Sequence, residues 1–332
     1  MPQNHNVSRT MQPHQLHPQI SADFEAVNDF ILGNLHSGVP LVEKIGSYIV
    51  ESGGKRIRPL LVLLAARGCG YQGSEHIHLA TVIEFIHTAT LLHDDVVDTS
   101  DLRRGNATAN AKWGNAPSVL VGDFLYSRSF QMLVQLDSMP IMSVMSTATN
   151  VIAEGEVLQL INCKNPDVDE ASYMKVILGK TAMLFEAASQ TGAILAGASD
   201  AQTQALRLYG RHLGIAFQLV DDVLDYQSSS QEMGKNVGDD LAEGKPTLPL
   251  IYTMKHGSEE QRQLIRQAIR KGGLDDLEPI RQAVIASGAI DYTFDQAHQQ
   301  VNLAMQQLDL IPPSPFRDIL AHLAQLAVDR KA

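Results

Sequence analysis

The chain is 332 residues long, with 44% hydrophobic and 19% charged residues, a composition that supports a large buried core. A net charge of −11 argues against general affinity for nucleic acid or acidic membrane. No apolar run approaches the ~18 residues of a spanning helix. The two cysteines, Cys69 and Cys163, lack metal-type spacing, which points to a reducing, cytoplasmic setting without a disulfide framework.

The first twenty residues are polar and rich in Gln, His and Pro, without the apolar core of a signal peptide. His5, His14 and His17 could ligate a metal, but a disordered tail over 1–20 is the expectation, with one domain over 21–332. Helical spacing then dominates, with no alternating strand and no repeat of fixed period. A first helix is expected from Ser21, a good N-cap, to 36, and a second over 39–50. Residues 51–58 read as a Gly-rich basic turn containing Gly53-Gly54-Lys55-Arg56-Ile57-Arg58, after which Pro59 opens a helix to 67. A loop over 68–74 leads into a long helix over 75–98. Val82, Phe85, Ala89, Leu92 and Val96 form one apolar stripe on it, widened by Leu79, Ile83 and Ile86, so it belongs inside a large bundle. Glu84, His87, Asp94 and Asp98 share its remaining polar face, which needs partners or a water-filled cavity.

That helix ends in Asp94-Asp95-Val96-Val97-Asp98, with Arg103-Arg104-Gly105 following in a polar loop over 99–116. Further helices are expected at 117–136, 140–162, 170–196, 199–226, 247–256, 259–271, 276–287, 289–308 and 314–329, with a second long polar loop at 227–246. The fold class is therefore all-α, a single large helical bundle around a central cavity. The helix over 199–226 repeats the first signature: Asp221-Asp222-Val223-Leu224-Asp225 closes it, and Gln218 shares the aspartate face. The triplets stand 127 positions apart, on different helices. One carboxylate cluster at a helix end reads as a solvated terminus. Two identical ones, both against the helix dipole, do not. Six carboxylates facing one cavity need counter-charge, and oxygen-only ligands favour a hard divalent ion, Mg2+ first. Lys55, Arg56, Arg58, Arg103, Arg104, Lys180, Lys235 and Lys245 cluster near the polar turns. Singly each reads as a surface charge; as a set they suit two anionic groups, one held through metal and one directly. His87 reads equally as a core histidine or a phosphate donor.

These blocks resemble the trans-type isoprenyl diphosphate synthases, in order and over roughly residues 20–330. The matching segments are Gly53–Pro59, Glu84 to Gly105 with its Asp94-Asp95-x-x-Asp98, Lys180-Thr181, Phe217-Gln218, Asp221-Asp222-x-x-Asp225, Gly234-Lys235-x-x-Gly238-Asp239-Asp240 and Gly244-Lys245-Pro246-Thr247. The long-chain members that supply quinone side chains are the most similar. The resemblance implies that Asp94, Asp95, Asp98, Asp221, Asp222 and Asp225 hold two or three Mg2+ ions bridging an allylic diphosphate. It implies that Arg103, Lys180, Thr181, Gln218 and Lys235 contact that diphosphate, with Lys180 and Lys235 among the catalytic groups. Lys55, Arg58, His87 and Arg104 would hold isopentenyl diphosphate, and the enzyme would be a homodimer outside the membrane.

The small residues Ala89 and Thr90, one turn below Asp94, leave room for a long product, about eight isoprene units by resemblance; a Phe at either should shorten it. Met132 and Leu133 are candidates for deeper stops, although a plain core role suits them better. Three other readings share cues. A metal phosphohydrolase would use His93-Asp94 but needs no second triplet. A terpene cyclase usually lacks the second triplet and the Lys55/Arg58 cluster. A regulatory subunit usually loses one triplet, and both are intact here.

Overall fold

The computed structural model describes residues 12–103, 105–227 and 238–329. Arg104 and Lys235, together with residues 1–11 of the expected tail, therefore lie outside the described residues. The remaining chain is a helical bundle, and its core runs through every long helix.

The tail expectation is corrected for residues 12–20. Pro13–Gln15 forms a 3-10 turn, and α1 (Pro18–Gly33) starts three residues ahead of Ser21, with Pro18 in its first turn and the His17 ring accepting from the Gln19 N–H. The cause is burial. Ile20, Phe24, Val27 and Ile31 follow helical spacing and are buried, and His14 stacks on Phe24 with ring centroids 4.2 Å apart. Asp23, on the same helix, takes two hydrogen bonds from Arg67 (2.8 and 2.9 Å) and lies 2.9 Å from His76. Burial alone would raise its pKa; the bonds and charges of His76 and Arg67 reverse that and lower it.

The cluster ties α1 to α3 (Ile57–Gly68) and α4 (Glu75–Val97), with α2 (Pro40–Glu51) between α1 and α3 in sequence. As the all-round apolar pattern requires, α4 lies inside the bundle, packed on α1, on α3 and on α6 (Asn115–Gln135). The polar loop after it is not featureless: Leu102–Arg103 pairs antiparallel with Asn106–Ala107, and α5 (Ala109–Trp113) follows, its Thr108 N-cap accepting from the Ala111 N–H. Next comes α7 (Met139–Asn162).

The helix expected over 170–196 is three pieces: α8 (Glu170–Ile177), a π-helical turn (Leu178–Ala182) and α9 (Met183–Leu195). At that turn two backbones nearly touch. A Cβ on Gly155 of α7 would fall 2.6 Å from the Lys180 nitrogen. Only glycine permits this approach, so Gly155 fixes where the turn sits.

The second triplet ends α10 (Asp200–Gln227), which packs on α9 and on a later helix, Ala289–Gln307. The short α11 (Asp239–Glu243) lies in the second polar loop. No helix among the described residues is long and apolar enough to cross a membrane.

Candidate active site

The C-terminal ends of α4 and α10 open onto one cavity of about 710 Å3. Asp94 and Asp98 line it from the end of α4, and Asp221, Asp222 and Asp225 from the end of α10. The basic turn before α3 supplies a third wall. Gly53, Gly54 and Arg56 all have positive φ, and this left-handed run turns the segment inward, so that Lys55 and Arg58 border the cavity. His87, Thr90, Arg103, Lys180, Thr181 and Gln218 complete the predicted residues that the fold brings together there. Two do not join them. Asp95 is fully buried outside the lining, and its Oδ1 accepts from Arg103 at 2.9 and 2.6 Å. Ala89 is fully buried in the core; so, nearly, are Met132 and Leu133, and none of the three borders the cavity.

Each lining carboxylate has a distinct environment. Lys180 Nζ lies 3.4 Å from Asp94 Oδ2, and Lys245 Nζ lies 3.1 Å from Asp98 Oδ2. Burial opposes both lysine charges, but the surrounding carboxylates raise the pKa of each. Asp222 accepts from the buried Tyr173 hydroxyl at 2.6 Å and from Gln218 Nε2 at 2.8 Å, while Thr181 donates to Gln218 Oε1 at 2.9 Å. Asp225 accepts from the N–H groups of Gly238 (3.1 Å) and Asp240 (3.3 Å), tying the end of α10 to the start of α11. Burial, then the nearby Asp240, pushes Asp222 and Asp225 up to about 8. These are carboxylates whose negative charge is resisted where no cation shares the site. Arg58 Nη1 donates to His87 Nε2 at 3.1 Å, and its guanidinium lies 4.4 Å above the centre of the Phe185 ring. Apolar side chains of Leu91, Ile152, Val176, Ile177, Leu184 and Phe217 also line it, beside further polar groups that include Glu84, Gln159, Asn162 and Asp240.

Among the described residues no three Asp, Glu, His or Cys side chains are gathered into a ready-made metal cage. The residues nevertheless fit a hard divalent ion. Such an ion, when small, keeps water and uses one or two carboxylates plus substrate oxygens, rather than an all-protein cage. Aspartates from two helix ends on one cavity, with oxygen-only donors and two of them resisting charge, supply that environment.

Glu156 and Tyr173 are lining residues with specific partners that the sequence reading does not single out. Glu156 is half-buried, bonded to Lys180, and pushed up to about 7 by burial and then by Asp94. Its spacing with Ile152 and Gln159 on one face of α7 was the available signal. Tyr173 had none, since a lone tyrosine on a helix reads as core. Lys245 belongs to the cation set that suits two anionic groups, and the structure adds its specific partner, Asp98.

Comparison with known proteins follows the same line. A sequence model described as polyprenyl synthetase matches residues 39–285. The chain belongs to the polyprenyl synthetase family. It is 55% identical over 309 residues to octaprenyl diphosphate synthase of Haemophilus influenzae, covering 93% of this chain and 94% of that one. It is 49% identical over 312 residues to the geranyl-diphosphate-specific all-trans-nonaprenyl-diphosphate synthase of Rhodobacter capsulatus, covering 94% and 96%. Its fold superposes on a Caulobacter crescentus polyprenyl synthase crystallised with calcium and isoprenyl diphosphate, with a TM-score of 0.92, 43% identity, and coverage of 96% and 97%. The all-helical expectation and the family resemblance both hold.

Proposed function

We propose that this polyprenyl synthetase is a Mg2+-dependent long-chain all-trans polyprenyl diphosphate synthase. It condenses isopentenyl diphosphate repeatedly onto an allylic diphosphate such as farnesyl diphosphate, reaching eight isoprene units for a quinone side chain. The observation that carries the reading is the cavity itself: two aspartate-rich helix ends on one cavity, separate cationic groups, and a set of apolar side chains. The 55% identity to an octaprenyl diphosphate synthase supports the chain length.

In this reading Asp94, Asp98, Asp221, Asp222 and Asp225 would hold the Mg2+ ions. Asp95 is left out because its side chain is committed to Arg103. When bound, Mg2+ neutralises the allylic diphosphate and favours its departure. Lys180, with Thr181 and Gln218 beside it, faces that leaving group and stabilises the charge it gains. Lys55, Arg58 and His87 hold the second diphosphate, so that the isopentenyl double bond lies against the allylic carbon. The allylic C–O bond breaks, the new C–C bond forms, and loss of one proton, to the released diphosphate by analogy, restores the double bond. The apolar walls keep out water that would quench the cationic carbon. Arg104 and Lys235 keep their expected substrate-binding roles within this proposal.

We also infer a cytoplasmic homodimer. Leu120 and Val134 on α6, and Met139, Val157, Leu160 and Ile161 on α7, are exposed apolar side chains on adjacent helices. Both cysteines are free thiols.

The test is incubation of the purified protein with farnesyl and isopentenyl diphosphates and Mg2+, with mass analysis of the product. Octaprenyl diphosphate is expected. Phosphate release without elongation, a cyclic hydrocarbon, or turnover only with an added subunit would each refute the reading.

A further inference from the structure

Glu156 stands outside both aspartate triplets. It lies on the cavity side of α7, directly after Gly155, whose missing side chain lets the π turn approach. Its Oε2 accepts from Lys180 Nζ at 2.6 Å, while the same ammonium lies 3.4 Å from Asp94. Neighbouring residues of α7 thus set both the backbone and the charged end of Lys180. The pattern recurs one turn on at Asp98, which shares Lys245 with Glu243. In each case a lysine is divided between a triplet aspartate and a glutamate outside the triplet.

The division has a physical consequence. A cation drawn to Asp94 competes with Lys180 for that carboxylate. A lysine with no second partner would then regain its rotamer freedom, at a cost to any role as a fixed point charge. A glutamate that takes no part in the triplet keeps the ammonium in place. We propose that Glu156 is a positioning residue that holds Lys180 where it meets the departing diphosphate. This rests on the diphosphate-condensing reading given above.

The experiment compares the full-length protein with Glu156→Ala, Glu156→Gln, Lys180→Met and the double variant Glu156→Ala/Lys180→Met. It measures kcat, KM for each diphosphate, thermal unfolding, and calorimetric binding of inorganic diphosphate with Mg2+. Glu156→Ala should lower kcat about ten-fold, the worth of one charge-assisted hydrogen bond, with KM for isopentenyl diphosphate within about two-fold. Glu156→Gln, which keeps an acceptor, should restore most of the loss. In the Lys180→Met background, Glu156→Ala should add less than about two-fold, because its effect runs through the missing lysine. A full additional loss in that background overturns the proposal, and so does a Gln variant as impaired as Ala. If the wild type binds diphosphate but does not elongate, the functional reading fails by itself. The Glu156 proposal is then decided by binding, which Glu156→Ala should weaken about ten-fold, and only while Lys180 is present.

Discussion

Replacing Asp95 by Asn separates the two ways an aspartate can serve this site. Asp95 sits inside a five-residue motif that reads as a metal clamp, yet its side chain is fully buried and receives Arg103 at 2.9 and 2.6 Å. Removing one partner of a buried pair costs about 3–5 kcal/mol. The Arg103 side chain is 19% exposed and water can solvate it in part, so the lower end applies, about 3 kcal/mol. In a chain of this size that corresponds to a fall in Tm of roughly 4 °C. The assay is thermal unfolding with and without Mg2+ and inorganic diphosphate. A ligand mixture at about a hundred times its Kd stabilises by about 2.7 kcal/mol. Asp95→Asn should melt lower but keep that ligand-induced rise, whereas Asp94→Asn and Asp98→Asn should largely lose it. If Asp95→Asn loses the rise as they do while melting like the wild type, Asp95 is a metal ligand and the assignment to Arg103 is wrong.

Thr90→Phe and Ala89→Phe, equivalent in the sequence, are expected to diverge. Thr90 borders the cavity, so its Phe should shorten the product; Ala89 is fully buried in the core, so its Phe should instead cost about 1–3 kcal/mol of stability, read by denaturant melts. Equal shortening by both would refute the distinction. pH supplies another test. With Asp222 and Asp225 pushed up to about 8, the folded state binds more protons than the unfolded chain between about pH 4 and that value. Stability of the metal-free protein should therefore fall as pH rises through this window, and Mg2+ should raise Tm more at about pH 9 than at about pH 6. A pH-independent Mg2+ effect would count against the buried aspartates as ligands.

The bundle was legible because α4 and α10 carry helical apolar spacing and end in the same unusual triplet. The cavity's cationic side was legible where charge sat in glycine-rich turns, as with Lys55 and Arg58. Other features depend on the third dimension. Asp95 and Asp94 are adjacent in sequence, but one helical step turns one inward to Arg103 and leaves the other at the cavity. The first helix was placed late because Ser21 is an attractive cap, although burial of Ile20 and Pro13 extends the fold upstream. Tyr173 matters only through a partner 49 positions away.

The π turn at Leu178–Ala182 has a consequence for phase. An unbroken α-helix advances about 100° per residue, and the turn that carries Lys180 and Thr181 departs from that count. One extra residue is wound into the turn, so the angular count is reset there. A wheel drawn through residues 170–196 would be correct up to the turn and rotated after it. The same reset makes the segment sensitive to length by a single residue. Deleting one would relax the turn to α-helix and rotate α9 against α8, and inserting one would shift Phe185 off its place beneath Arg58.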